Sequence, residues 1–214
     1  MVTPEFRRAP ATIGIAVVTT VVSLIVTLLN LGGDAAIYAG FIPARASLGA
    51  AGNVPGLLPV MLTPLSSTLI HGGLVHLAFN MVTLVYCGVA TERALGTRGV
   101  VLLYVLGAYG ACLAQWLVGP GSPVPMIGAS GAASAIVGAY ALLYGRQRTR
   151  DVGPIPAWLL HVLWLLAAWT LLNLAMGILS QQAGMPIAAA AHIGGFLIGV
   201  ALCRPMLLWR WRGA

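Results

Sequence analysis

Residues 127–144 read Ile-Gly-Ala-Ser-Gly-Ala-Ala-Ser-Ala-Ile-Val-Gly-Ala-Tyr-Ala-Leu-Leu-Tyr, a stretch without charge in which Ser130, Ser134, Gly138, Ala141 and then Gly145 recur at three- and four-residue steps. Its length approaches the roughly 20 apolar residues that a helix needs to cross the hydrocarbon core of a bilayer. The recurring small side chains define one helix face on which a second backbone approaches closely. A matching face, Ala191, Gly195 and Gly199, lies near the C-terminus. Ser130 and His192 sit beside these two stripes, so packing one stripe on the other would bring a hydroxyl against an imidazole.

Working outward, the 214 residues are 59% hydrophobic and only 7% charged, too apolar for the surface of a water-soluble domain. The chain reads as an integral membrane protein. Six runs are candidates for spanning helices: Ile13–Leu31, Leu69–Ala90, Val100–Val118, Ile127–Tyr144, Ala157–Leu179 and Ile187–Leu208. The expected fold is therefore all-α, a polytopic six-transmembrane-helix bundle forming one domain over residues 1–214. The first run has no evident cleavage site followed by a soluble domain and is expected to be a retained helix.

The net charge of +7 comes from eleven basic residues, all Arg, and four acidic ones. They form no cluster of the kind a nucleic-acid groove needs, and no nucleic-acid partner is expected. They sort instead by loop. Arg7, Arg8, Arg93, Arg98, Arg146, Arg148, Arg150, Arg204, Arg210 and Arg212 fall on one side of the six runs, and Arg45 falls alone on the other. The positive-inside rule makes the Arg-rich side cytoplasmic, so both termini are expected inside. Trp116, Trp158, Trp209 and Trp211 lie near run ends and read as interfacial anchors.

The longest connection, residues 32–68, is apolar and punctuated by Gly40, Pro43, Gly49, Gly52, Pro55, Gly56, Pro59 and Pro64. It is expected to lie in or against the outer leaflet, shielded by the bundle. The connections at 119–126 and 180–186 are short and uncharged. Cys87, Cys112 and Cys203 all fall in apolar runs and read as small buried side chains, and no metal-ligand or haem spacing is present. No cofactor or metal is expected.

Against this apolar background the polar residues stand out, because a hydrogen-bonding side chain in hydrocarbon is costly and points to function. With about 1.5 Å rise per residue, Ser130 lies roughly 5 Å, His192 roughly 8 Å and His76 roughly 10 Å below the outer start of its run, one common layer. His76 and Asn80 are four positions apart and share a helix face, whereas His71 projects elsewhere and is expected to brace the outer helix end and the long loop. A Ser hydroxyl becomes nucleophilic when a base takes its proton, and His192 is the imidazole placed to do so for Ser130. Asn80, His76 and the Ser130 N–H suit the oxyanion that attack on an amide creates. Gly128 and Gly131 flank the serine and leave room for a substrate strand and a neighbouring helix. His161, near the cytoplasmic side, reads as structural. Gln115 and Asn173 read as interhelical hydrogen-bonding residues without assigned chemistry.

These residues resemble the rhomboid intramembrane serine proteases. His71-Gly-Gly-Leu-Val-His76-Leu-Ala-Phe-Asn80 is similar to the family's H-x-x-x-x-H-x-x-x-N, Gly128-Ala-Ser130-Gly131 to its G-x-S-G, and Ala191-His192-Ile-Gly-Gly195-Phe-Leu-Ile-Gly199 to its His-bearing sixth helix. Glu92-Arg-Ala-Leu-Gly96 is similar to its charged turn after the second core helix. The resemblance implies a Ser130/His192 dyad without an acidic third member, an oxyanion site from the Ser130 N–H, His76 and Asn80, and a wet cavity open to the outside. Two departures are visible: Arg45 follows Ala44 with no Trp nearby in the first loop, and Ser134 stands where many members carry an aromatic residue against which the imidazole stacks.

The expected function is an ATP- and metal-independent endopeptidase that cuts transmembrane segments of membrane proteins near the outer face of a bacterial inner membrane. By the resemblance, small residues before the scissile bond and helix-destabilising residues after it are favoured. The fifth run and the 180–186 connection would form the gate. Two other readings stay open: an inactive rhomboid-like factor that binds membrane proteins, and a small transporter or channel. The oligomeric state is not legible.

Overall fold

The structure is a computed structural model that describes residues 9–145, 150–182 and 188–212. Arg7, Arg8, Arg146 and Arg148, together with residues 183–186 of the last outer connection, lie outside the described residues. The elements are α1 (Pro10–Leu28), α2 (Gly32–Ala39), α3 (Pro43–Ser47), α4 (Thr63–Ser66), α5 (Leu74–Val118), α6 (Ser130–Tyr144), α7 (Ala157–Gln182) and α8 (Ala189–Arg210). No strand occurs among the described residues, only two isolated bridges. α1, α5, the 157–175 part of α7 and α8 are long and apolar enough to cross a membrane, and α6 is a shorter apolar helix of 15 residues.

α5 joins the second and third expected runs through one non-helical residue, Gly96, at φ 78° and ψ 165°. A positive φ of this kind favours glycine. The Arg210 guanidinium lies 3.3 Å from where a Cβ of residue 96 would be. The limbs on either side of Gly96 run in opposite senses along α6. On the first, Tyr86 pairs with Tyr140 and the Ala90 carbonyl accepts from Tyr144 Oη at 3.0 Å; on the second, Gly107 meets Ala132 and Ala135 while Ala111 meets Gly131.

α6 is the central post. Gly131 to Ile136, Gly138 and Ala139 are all buried, and a helix buried all round needs apolar side chains on every face. Small ones let three neighbours close in on it. α8 runs parallel to α6 in a four-residue register. Cβ atoms at Gly195 and Gly199 would collide with the carbonyl oxygens of Gly131 and Ala135, and one turn further Cys203 Sγ lies 3.7 Å from the Ala139 carbonyl. The stripes expected to pair do pair, because only glycine permits this backbone approach. α7 packs antiparallel on α8, with Trp158 near Arg204 at one end and Trp169 against Phe196 and His192 at the other.

α1 is tied at both ends. At the Arg-rich end, buried Glu92 accepts from Ala11 N, Thr12 N and Thr12 Oγ1 at 3.0, 2.8 and 2.7 Å, and from Thr97 Oγ1 at 2.9 Å. The carboxylate thereby satisfies N–H groups that the first turn of a helix leaves without intrahelical partners. At the opposite end Ser23 Oγ donates to the Leu69 carbonyl at 2.8 Å.

The long connection is less irregular than its composition suggests. α2, α3, α4 and three 3₁₀ turns fill it. Arg45 is buried and donates from Nε to the Gly52 carbonyl at 3.0 Å and from Nη2 to the Leu58 carbonyl at 2.8 Å, closing the loop on itself without a neighbouring Trp. Trp116 is more than an interfacial anchor: its indole N–H donates to Ser47 Oγ at 2.8 Å and ties the second limb of α5 to α3.

Two boundaries near the candidate site differ from the expectation. The second run starts at Leu74 rather than Leu69, since Gly72 and Gly73, the latter at φ 141°, interrupt the helix. α6 starts at Ser130 rather than Ile127, since Gly128 at φ 113° precedes it. Helical phasing from His71 to His76 therefore does not apply, and His71 lies off the helix.

Candidate active site

Ser130, His76 and His192 all fall in the first turn of their helices, α6, α5 and α8. His192 Nε2 lies 2.7 Å from Ser130 Oγ. The contact follows from the α6–α8 register: with Gly195 against Gly131, the residues three before and one before them come level.

The strand of chain before Ser130 is held by main-chain bonds. Phe41 N donates to the Met126 carbonyl at 3.0 Å, Met126 N returns to the Phe41 carbonyl at 2.8 Å, and Gly128 N donates to the Ser67 carbonyl at 2.9 Å. Gly128 is required twice over. Its φ of 113° is a backbone state L side chains rarely adopt, and a Cβ there would meet the His76 ring at 2.8–2.9 Å. The same point lies 3.7 Å from Ser130 Oγ, so His76 and Ser130 border one small space.

His71 departs from its expected orientation. Its ring is buried and edge-on to His76 with centroids 5.0 Å apart, so it abuts the site instead of pointing away. Ser23 spends its one hydroxyl proton on the Leu69 carbonyl; the 2.9 Å contact to His71 Nδ1 therefore has Nδ1–H donating to Ser23 Oγ. Nε2 is left to accept from Ala129 N at 3.3 Å. His71 thus couples α1 to the residue before Ser130, a bracing role that reaches the site itself.

His76 Nδ1 accepts from Gly72 N at 3.3 Å. The neutral ring then carries its proton on Nε2, the nitrogen that would border a Cβ at Gly128. Asn80 is buried one turn deeper; Nδ2 donates to the His76 carbonyl at 2.9 Å, and Oδ1 is buried without a partner. Nδ2 keeps a second hydrogen, and the Ser130 N–H, first in its helix, has no intrahelical acceptor. Of these groups, His76 is the one that borders Ser130 Oγ directly, across the space beside Gly128.

Ser134 donates to the Ser130 carbonyl at 2.7 Å and is buried in the α6–α8 seam, where a Cβ on Gly195 would sit 3.2 Å from its own Cβ. Ser134 therefore presents no aromatic face to the imidazole. The imidazole is held from another side, by α7. Asn173 Oδ1 lies 2.7 Å from His192 Nδ1, and Asn173 Nδ2 donates to the Trp169 carbonyl at 2.9 Å. Trp169 Nε1 donates to the His192 carbonyl at 3.2 Å. Sequence reasoning grouped Asn173 with Gln115, yet the two differ: Gln115 Oε1 is buried without a partner. The signal that singled out Ser130, a polar side chain in an apolar run, applied equally to Asn173. His161 is buried at the other end of the bundle, near Gly145, apart from this cluster.

Arranged this way, the site has a hydroxyl, an imidazole in contact with it, and a second imidazole bordering the same small space beside Gly128. That set is suited to acyl transfer. Among the described residues no group of three or more His, Cys, Asp or Glu converges as metal ligands would.

Comparison with known proteins shows the family. The family model for the Rhomboid domain matches residues 60–209. RHOMBOID-like protein 2 of Arabidopsis thaliana is 32% identical over 155 residues, covering 68% of this chain and 44% of that protein. Rhomboid protease GlpG of Pectobacterium atrosepticum is 31% identical over 139 residues, covering 64% and 45%, and Rhomboid protease GluP of Bacillus subtilis is 30% identical over 148 residues, covering 68% and 26%. The chain spans less than half the length of these relatives.

Proposed function

This chain belongs to the rhomboid family and is an integral membrane protein, and on that footing we propose that it is an intramembrane serine endopeptidase with Ser130 as nucleophile and His192 as base. What carries the reading is the 2.7 Å separation of His192 Nε2 from Ser130 Oγ between two glycine-seamed helices. The bacterial relatives named as proteases support it.

In the proposed reaction, Ser130 Oγ attacks the carbonyl carbon of a substrate amide while Nε2 of His192 takes the hydroxyl proton. The negative charge gathers on the former carbonyl oxygen, where the Ser130 N–H, His76 Nε2–H and the free amide hydrogen of Asn80 are the donors; such fixed donors each contribute about 10²- to 10³-fold in rate. The C–N bond then breaks, the imidazolium proton passes to the leaving amine, and an acyl ester remains on Ser130. Water, deprotonated by His192, hydrolyses the ester and restores the hydroxyl. Gly128 keeps a side chain out of the space between His76 and Ser130, Gly131 lets α5 approach α6 at Ala111, and His71, Gly195 and Gly199 hold the helices in register.

Counting the two limbs of α5 separately, we read six spans, with both termini cytoplasmic and the site opening outward from a bacterial inner membrane. Ten of eleven Arg on one side support this orientation. The substrates would be transmembrane segments that unwind locally near the outer face. The test is cleavage of a reporter transmembrane substrate in liposomes. The unmodified protein should cut it, whereas Ser130→Ala and His192→Ala should not. If folded, unmodified protein leaves several such reporters intact, the protease reading fails in favour of a binding or transport role.

A further inference from the structure

We propose that Asn173 of α7 is a positioning residue that fixes the tautomer of His192, making the working unit a Ser130–His192–Asn173 relay of contacts rather than a pair. The proposal rests on the protease reading for its catalytic meaning, but its structural basis is independent of it.

A main-chain carbonyl fixes the first contact. The Trp169 carbonyl can only accept, so the Asn173 side-chain atom 2.9 Å from it must be the amide nitrogen. That choice turns Oδ1 toward His192 Nδ1, at 2.7 Å. An amide oxygen can only accept, so Nδ1 must carry the ring proton. In a neutral imidazole Nε2 then holds the lone pair, and Nε2 is the atom 2.7 Å from Ser130 Oγ. The opposite tautomer would aim an N–H at a hydroxyl whose proton has to be removed, and would set a ring lone pair against the Asn173 oxygen.

The placement is built, not incidental. Asn173 is buried, and it stands one helical turn from Trp169, whose indole donates to the His192 carbonyl and whose ring stacks on Phe196 at 5.1 Å. One turn of α7 therefore grips His192 by its main chain and by its ring. Ser134 offers the imidazole no aromatic face, so the ring is held by its two nitrogens, Nδ1 at Asn173 and Nε2 at Ser130. As Asn173 is uncharged, it orients the ring without the added stabilisation of imidazolium that a carboxylate gives.

The test combines kinetics with the nitrogen NMR spectrum of His192, labelled with ¹⁵N-histidine and assigned by its disappearance in His192→Gln. In the unmodified protein the spectrum should show the Nδ1–H tautomer. Asn173→Leu should mix the tautomers and lower kcat by roughly 10- to 100-fold, at or below the lower end of the about 10²- to 10⁴-fold that a positioned base supplies, with KM close to unmodified. Asn173→Asp should restore the single tautomer and move the acidic limb of the pH–kcat profile to higher pH, since a carboxylate beside Nδ1–H favours the charged ring. The proposal is overturned if His192 carries its proton on Nε2, if Asn173→Leu leaves the tautomer and kcat unchanged, or if Leu and Asp variants lose activity alike with no change in tautomer. Should the unmodified protein cut nothing, the protease reading falls, while the nitrogen spectra still decide whether Asn173 sets the tautomer.

Discussion

Two seams meet at His192, and they are built from opposite materials. The α6–α8 seam is glycine, alanine and serine, with backbones so close that a Cβ at Gly195 or Gly199 would strike a carbonyl oxygen. The α7–α8 contact is made by large side chains, Trp169 on Phe196 and Asn173 on His192. The first sets where the imidazole is; the second sets how it is turned. Distance and orientation are separable requirements for proton transfer, and in the proposed mechanism different helices would meet them.

The comparison breaks first at its closest point. Gly195→Val together with Gly199→Val should prevent α8 from seating on α6, abolish cleavage and lower the melting temperature in detergent by the largest amount of any pair of substitutions outside the catalytic residues. Overpacking of this sort costs about 1–3 kcal/mol per site even where a core can adjust, and a main-chain carbonyl adjusts poorly. By contrast, the Asn173 variants should lower kcat while leaving α8 seated on α6.

Glu92→Ala probes the far end of the bundle. It removes the acceptor for two main-chain N–H groups and two hydroxyls. A loss of about 1–3 kcal/mol is expected from buried groups left unsatisfied, read as a lower melting temperature, with kcat of the folded fraction unchanged because Glu92 binds α1 at the end opposite Ser23, the α1 residue bonded to His71. Smallest of all, Ser134→Ala deletes one bond to the Ser130 carbonyl and should cost about 0.5–1.5 kcal/mol. Ser134→Phe should be far worse, showing that the seam leaves no volume for an aromatic ring.

The same contrast explains what could be read from the chain alone. Small-residue periodicity is a property of one helix, so the pairing of the Gly195 face with the Gly131 face was legible from spacing. The contact of Asn173 with His192 depends on how α7 is rotated and how far it slides along α8, and α7 is apolar around much of its circumference, which leaves no periodic signal. Gly72–Gly73 and Gly128 acted alike: each delayed the start of a helix through a local backbone state inside a run that hydropathy alone reads as continuous, and so His71 falls off the helix on which its phasing to His76 was read. Arg45 was legible as an exception to the charge asymmetry, but its bonds to the Gly52 and Leu58 carbonyls come from the fold of the loop.

The most direct measurement of the central claim is peptide mass mapping after exposure of the bilayer-embedded protein to a fluorophosphonate. A Ser130 hydroxyl activated by His192 predicts one phosphonylated residue, Ser130, with the adduct lost in His192→Ala. A folded protein that carries no adduct, or carries it elsewhere while Ser130 stays unmodified, would contradict the account.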